Sequence, residues 1–313
     1  MSDPAVLAAR DLEVRYGANE AVRGVSFEVA PGEVLGLIGP DGAGKTSTLR
    51  VLAGLLRASA GTAEAWGAPC WEQRRALHHR LGYLAQRFAL YGDLTVDENV
   101  QFFALMYGVP AWRDRRTRLL ELVGLDRFRD RLAERLSGGM KQKLALACTL
   151  IHSPEVLLLD EPTTGVDPVT RRELWRLLAE LVGDGLTLVV ATPYLDEAER
   201  CTRVVLMHRG EVLADGRPAA IPDRLPGTVV AVVAADRNAA SAVFEGVPEI
   251  ADVAVFGVAL HVRVDEAAER AQQRVRRLLA EAGVDAEVRA VPATLEDAFL
   301  YLTTHETRRA EAT

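Results

Sequence analysis

Three stretches of this 313-residue chain carry residue types that do chemistry when spaced as they are here. The first is "GPDGAGKTST" at 39–48, where Gly39, Pro40, Asp41, Gly42, Ala43, Gly44, Lys45, Thr46 and Ser47 follow an apolar run and open a helical pattern. Glycines let the backbone fold into a nest whose N–H groups aim at phosphate oxygens. Lys45 supplies a point charge for β- and γ-phosphates, and the Thr46 hydroxyl can ligate Mg2+. The second is "VLLLDEP" at 156–162. Asp160, ending an apolar strand beside a phosphate loop, stands where the metal needs an anchor, and Glu161 can orient and deprotonate an attacking water. The third is "LSGGMKQKLALA" at 136–147. Ser137 caps a helix whose start at Gly138 and Gly139 leaves bare backbone donors, a second anion site. Alone, the second stretch is an acidic strand end and the third an ordinary helix cap; one nucleotide does not need two anion sites.

These residues need a scaffold, and the pattern up to about residue 225 supplies one. Apolar runs such as "EVLGLIG", "VLLLD" and "TLVVAT" alternate with amphipathic helical stretches, which predicts a mostly parallel sheet covered on both faces. The early segment "LEVRYGANEAVRGVSFEVAPGE" alternates differently and predicts antiparallel strands at one edge. A mainly helical insert is expected over about 93–150, with Asp97 and Glu98 in a first turn. Gly and Pro cluster in "RGEVLADGRPAAIPDRLPG", placing a boundary at 222/223. Residues 223–304 then read as strand 228–235, helix 237–245, strands 250–256 and 259–264, helix 266–282, strand 284–290 and helix 294–303. That order, βαββαβ plus a helix, predicts a small ferredoxin-like α+β domain, with 305–313 as a frayed tail.

Composition narrows the partners. A formal net charge of -7 argues against a nucleic-acid footprint, which requires a basic surface. Cys70, Cys148 and Cys201 have no paired spacing for zinc or a disulfide framework, and are expected reduced and buried. No apolar run reaches the roughly 20 residues of a membrane span, and the start "MSDPAVLAAR" lacks the features of a signal peptide. A cytoplasmic chain that meets a membrane only through a partner is the expectation. Adjacent His78 and His79 in "RALHHR" read as solvated.

In this order the stretches resemble the ATP-binding cassette family, specifically the nucleotide-binding subunit of a transporter. "GPDGAGKT" is similar to its phosphate loop, "LSGGMKQ" to its signature, "LLLDEP" to its metal and base motif and "TGVDP" at 164–168 to the loop that follows. The resemblance covers residues 5 to about 220. It implies further roles: Tyr16 in "VRYG" stacking on adenine, and Gln86 in "LGYLAQ" reaching the metal, sensing the γ-phosphate and coupling to a membrane subunit. It also implies a P-loop (RecA-like) α/β domain over residues 1–222, ATP and Mg2+ as cofactors, and attachment to a transmembrane permease. Two subunits would meet head to tail, with Ser137, Gly138 and Gly139 serving the partner's ATP, in a homo- or heterodimer. The tail "VPATLEDAFLYLT" is similar to the C-terminal extension of bacterial subunits serving exporters of drugs, antibiotics or other amphiphiles.

Two residues depart from that family. Pro193 in "VVATPYLDEAERC" stands where the family carries a histidine that touches the γ-phosphate; proline offers no side-chain donor and no backbone N–H. Asp41 replaces the usual asparagine, which is mildly repulsive to triphosphate yet compatible with a turn. Slow hydrolysis at this chain's own site is therefore expected, with an ATP-binding regulatory cassette of little turnover, paired with a competent partner, as the alternative. Retention of Glu161 argues for the hydrolytic reading.

Overall fold

Short Val- and Leu-rich runs become strands buried on both faces, and the site is built at their ends. The computed structural model describes residues 4–87 and 90–311, with side chains to residue 304. It divides into two units between Asp215 and Gly216. The first carries strands β1 (Leu7–Tyr16), β2 (Asn19–Val29), β3 (Val34–Ile38), β4 (Ala60–Ala65), β5 (Ala68–Pro69), β6 (Leu81–Leu84), β7 (Val156–Asp160), β8 (Thr187–Thr192), β9 (Arg203–His208) and, at the junction, β10 (Glu211–Gly216). Its helices are α1 (Lys45–Leu52), α2 (Arg74–Arg80), α3 (Val96–Met106), α4 (Trp112–Leu122), α5 (Gly138–Leu150), α6 (Pro168–Gly183) and α7 (Leu195–Ala198).

One sheet has the order β10-β9-β3-β8-β7-β6, with parallel pairing from β9 through β6. Every residue of β3, β7 and β8 is buried. That is the composition a parallel sheet covered on both faces demands. The early strands form a separate sheet, β2-β1-β4-β5, with antiparallel pairs throughout. Leu12, Val14 and Phe27 of that sheet share a core with Leu35, Leu37 and Val189 of the first, and Leu49 and Leu52 of α1 pack among them. Each such side chain contributes about 1.5–3 kcal/mol by leaving water. Loop and helix between β3 and β4 are thereby fixed to both sheets.

The insert expected over 93–150 is helical, with α3, α4 and α5 packed on one another. Its first helix is held by a reciprocal cap: the Glu98 N–H donates to the Thr95 hydroxyl at 3.2 Å, and the Thr95 N–H donates to Glu98 Oε2 at 2.8 Å. Fully buried Asn99 donates to the carbonyls of Tyr91, Leu94 and Thr95, tying the entering loop to the helix. His78 is half-buried rather than solvated, its Nε2 lying 3.1 Å from the Ala53 carbonyl, because α2 packs that face against the end of α1; His79 is exposed. The three cysteines are free and buried. Burial pushes the Cys70 thiol up to about 12, which keeps it protonated and inert.

The second unit contains β11 (Thr228–Ala234), α8 (Arg237–Ala242), β12 (Ile250–Phe256), β13 (Ala259–Val264), α9 (Ala268–Glu281), β14 (Ala286–Val291) and α10 (Leu295–Glu311). Its sheet order is β12-β13-β11-β14, all antiparallel, the ferredoxin-like arrangement of a βαββαβ string. Val230, Val232, Leu260 and Val262 form a core with Val275 and Leu279 of α9. Two differences from the sequence expectation concern edges. The units meet after Asp215 and not at 222, because the proline-rich turns Pro218–Ala220 and Pro222–Arg224 belong with the second unit, where the latter packs on α10. The backbone of α10 stays helical through Glu311 instead of fraying from 305; residues 312 and 313 lie outside the described residues.

The cap at Thr95 is a local feature with a measurable weight. Thr95→Ala is expected to lower stability by about 1 kcal/mol. Thermal unfolding of the full chain should show a midpoint lower by about 2–4 °C; an unchanged midpoint refutes the cap's contribution.

Candidate functional site

β3 ends at Ile38 and the chain turns through 39–44 into α1. Gly44 caps that helix with φ 99°, and Gly42 has φ 80°, conformations that exclude most side chains. Space excludes them too. A Cβ on Gly39 would sit 2.1 Å from the Met207 carbonyl oxygen, and one on Gly44 would sit 2.5 Å from that of Ala21. The loop is thus a cradle of bare backbone leading into a helix N-terminus, the arrangement that binds phosphate.

Lys45, 4% exposed, folds over this loop and donates to the carbonyls of Gly39 at 2.8 Å and Pro40 at 3.0 Å. Burial lowers its pKa, and the negative charges of Glu161, Asp41 and Asp160 pull it back up. The Thr46 hydroxyl donates to Asp160 Oδ1 at 2.8 Å, and the Tyr83 hydroxyl to Asp160 Oδ2 at 3.1 Å. Burial raises the Asp160 carboxyl above its ordinary value, the two hydrogen bonds pull it down and the neighbouring Glu161 charge pushes it up. Burial, then Asp160 itself, pushes the Tyr83 phenol up to about 12, so it remains a donor.

Glu161 has φ 50°, a left-handed conformation that costs about 1–3 kcal/mol in a non-glycine residue. Its backbone N–H donates to the Ala191 carbonyl at 2.8 Å. Its carboxylate accepts from Gln86 Nε2 at 2.7 Å and from the Thr164 hydroxyl at 3.1 Å. The strained backbone turns this carboxylate out of the β7 ladder and into the cleft lining. That cleft has a volume of about 590 Å3 and is lined by Tyr16, by residues 41–47 of the loop and helix, by Gln86 and by Glu161. The Tyr16 hydroxyl lies 3.3 Å from Ser47 Oγ, and the residue is 45% exposed.

Not every sequence-expected residue joins this cleft. Ser137 caps α5, accepting from the Met140 N–H at 3.3 Å, but neither it nor Gly138 or Gly139 lines the cleft. Ser137 and Gly138 are exposed instead, free to meet another molecule. Behind them the helix start is tight, since a Cβ on Gly139 would sit 2.6 Å from Thr170 Cγ2. Pro193 follows the last ladder position, where Ile38 pairs with Thr192. The Thr192 carbonyl accepts from the Gly39 N–H at 3.4 Å, and its hydroxyl from the Tyr194 N–H at 3.2 Å. The turn therefore stands without an N–H at 193.

Sequence reasoning missed Tyr83, and it missed Asn19, Glu20, Arg23 and Arg209, which also line the cleft. Arg209 occupies the β9–β10 turn with φ 45° and makes no ion pair or hydrogen bond among the described residues. None of these has a motif spacing; only the approach of the β9–β10 turn to the loop, through Gly210 N–H to the Ala43 carbonyl at 3.2 Å, brings Arg209 there.

Comparison with known proteins gives the same arrangement a context. Residues 22–164 match the ABC transporter family. The chain is 48% identical over 227 residues to the probable multidrug ABC transporter ATP-binding protein YbhF of Escherichia coli (strain K12), covering 71% of this chain but only 39% of that relative's length. It is 38% identical over 295 residues to the Nod factor export ATP-binding protein I of Paraburkholderia xenovorans (strain LB400), covering 93% of this chain and 94% of the relative. Among solved structures, an ATP-binding subunit of an ABC transporter matches with a TM-score of 0.64 and 30% identity, over 70% of this chain and 92% of that one.

The raised Asp160 pKa has a stability consequence with a definite sign. A carboxyl whose folded pKa lies above its unfolded one disfavours folding when ionised, and the deficit is relieved as pH falls through the folded pKa towards the unfolded value. In nucleotide-free and metal-free protein, Asp160→Asn is expected to raise the thermal midpoint near neutral pH. Its advantage over wild type should shrink as the pH is lowered into the carboxyl range; an advantage that grows instead reverses the assignment.

Proposed function

The chain belongs to the ABC transporter family of ATP-binding proteins, and from that premise we propose that it hydrolyses ATP to power a membrane exporter. The observation that carries this reading is the gathering of Lys45, the Thr46–Asp160 pair and the Gln86–Glu161 pair around one cleft. The bare cradle at 39–44 binds the β- and γ-phosphates, with Lys45 turning from its loop carbonyls to the phosphate oxygens. Tyr16 stacks on the adenine.

Thr46, Asp160 and Gln86 would hold Mg2+; their oxygens are the hard donors that ion selects. When bound, the metal supplies positive charge that offsets the charge developing on phosphate oxygens. Glu161, aimed by Gln86 and Thr164, orients the attacking water and takes its proton. Ser137 and Gly138, exposed, and Gly139 behind them, all outside this chain's cleft, complete the site of a second ATP-binding subunit, so that ATP joins the two.

Among the described residues no helix is long and apolar enough to cross a membrane. The membrane connection is through a permease partner. A patch on the helical insert fits such a contact: Leu105 and Met106 of α3 are 61% and 57% exposed, beside an exposed pair formed by Tyr91 and Phe102, 4.6 Å between ring centres. The relatives named for multidrug transport and Nod factor export support an exporter.

Pro193 tempers the rate. Loss of one hydrogen bond to a charged phosphate slows hydrolysis roughly 10- to 150-fold. Pro193 is also the observation that favours a second reading, a cassette that closes on ATP with little turnover.

Steady-state hydrolysis by the full chain decides between them. Wild type is expected to be slow, Pro193→His to raise turnover roughly 10- to 150-fold, and both Lys45→Ala and Glu161→Gln to abolish it. A fast wild type that Pro193→His does not improve removes the penalty assigned to proline. Turnover indifferent to Glu161→Gln removes the hydrolytic reading.

A further inference from the structure

Glu197 lies in α7, in the segment that follows Pro193, and has no exposed surface. A buried carboxylate persists only when donors satisfy it. Its Oε1 accepts from the Thr163 hydroxyl at 2.6 Å, from Arg171 Nε at 2.6 Å and from the Trp175 indole N–H at 3.1 Å. Its Oε2 is buried and makes no hydrogen bond among the described residues. Every polar attachment of this carboxylate therefore runs through one oxygen atom.

The three donors come from two different places. Thr163 lies in the loop just beyond Glu161, and its neighbour Thr164 is the residue that donates to the Glu161 carboxylate. Arg171 and Trp175 belong to α6. Arg171 also reaches the far side of the α7 turn: its Nη2 donates to Asp196 at 2.8 Å, and its guanidinium lies over the Tyr194 ring at 4.6 Å. The Cys201 thiol adds a contact to the Glu197 carbonyl at 3.6 Å.

We infer that Glu197 is a positioning residue for hydrolysis, clamping the loop that follows Glu161 to the turn that carries Pro193 so that the two segments move together. This rests on the hydrolytic reading above. The clamp has particular weight here because residue 193 brings no side-chain donor of its own to the site. At the end of β8 the backbone is tied to the site by the Ala191 carbonyl on the Glu161 N–H and the Thr192 carbonyl on the Gly39 N–H, and the side-chain link beyond Pro193 is the Glu197 carboxylate on Thr163. Glu161 itself is strained, so the direction of its carboxylate depends on how firmly the segment after it is held. A buried charge cluster can also be merely structural, and the test separates the two.

Thr163→Val in the full chain keeps the side-chain volume and removes one donor from Glu197 Oε1. Turnover is expected to fall about ten-fold with KM for MgATP unchanged, and Thr163→Ser, which keeps the hydroxyl, is expected to stay within about two-fold of wild type. Hydrogen–deuterium exchange, which needs no turnover, is expected to quicken together in 161–167 and 194–198 of Thr163→Val. Faster exchange in 161–167 alone, a rise in KM matching the loss of rate, or a Thr163→Ser as slow as Thr163→Val each overturns the clamp. A wild type silent in hydrolysis with coupled exchange supports the clamp and overturns the hydrolytic reading. An active wild type with uncoupled exchange does the reverse.

Discussion

The parallel pairing of β3, β8 and β7 is the constraint on which the site rests. Ile38 pairs with Thr192 and Asp160 pairs with Ala191, so the three strands end in one row. The next residue along each is Gly39, Pro193 or Glu161. Neighbouring strands lie roughly 4.8 Å apart, and this spacing alone brings together segments far apart in the chain. The register is set by burial. All residues of these strands are inside, and a slip would move Val and Leu side chains out of fitted positions and misalign the three ends together.

That row is electrostatically costly. Burial pushes the charged forms of Lys45 and Asp160 in unfavourable directions, and Glu161 adds backbone strain beside them. The core shared by the two sheets and α1, which includes Ala43 of the loop, offsets these costs. The expense is characteristic of a site that must offer partners to a ligand's charge. Lys45 spends its donors on loop carbonyls and Thr46 its hydroxyl on Asp160, groups that a triphosphate and its metal can relieve.

Pro193 alters this balance without altering the fold. It follows a strand residue whose extended backbone is what a proline prefers before it, and the turn is closed by Thr192 and by the Glu197 cluster. The strand end and the turn after it are thus closed without a side-chain donor at residue 193. The second unit is built on independent grounds, from its own Val and Leu core under a four-stranded antiparallel sheet. Its last helix is capped by Thr294, whose hydroxyl accepts from the Asp297 N–H at 3.1 Å, while the Asp297 carboxylate accepts from the Thr294 N–H at 2.8 Å and lies 2.9 Å from His261 Nδ1.

The phosphate-loop run 39–47 and the Asp160–Glu161 strand end, on which the proposed function draws, were legible as motifs because each is a run of consecutive residues, whereas Tyr16 and Gln86 entered only through the family resemblance. A loop of bare N–H groups entering a helix needs glycines at fixed offsets, and a strand ending in two carboxylates needs an apolar run before them. Element order was legible for the same local reason, including the βαββαβ string after Thr228, where alternation and helical period change in turn. The tertiary structure decided what crosses between elements. Tyr83 meets Asp160 because β6 is laid beside β7; Arg209 reaches the cleft because a distant turn bonds to Ala43; Glu197 joins Thr163 because α7 is tied through Arg171 and Trp175 to α6, which the Thr163 loop precedes. The unit boundary at Asp215 and the half-burial of His78 were likewise decided by packing partners remote in the chain. Such contacts have no sequence period, since the distance between two side chains on different elements is set by strand register and helix packing and not by the number of residues between them.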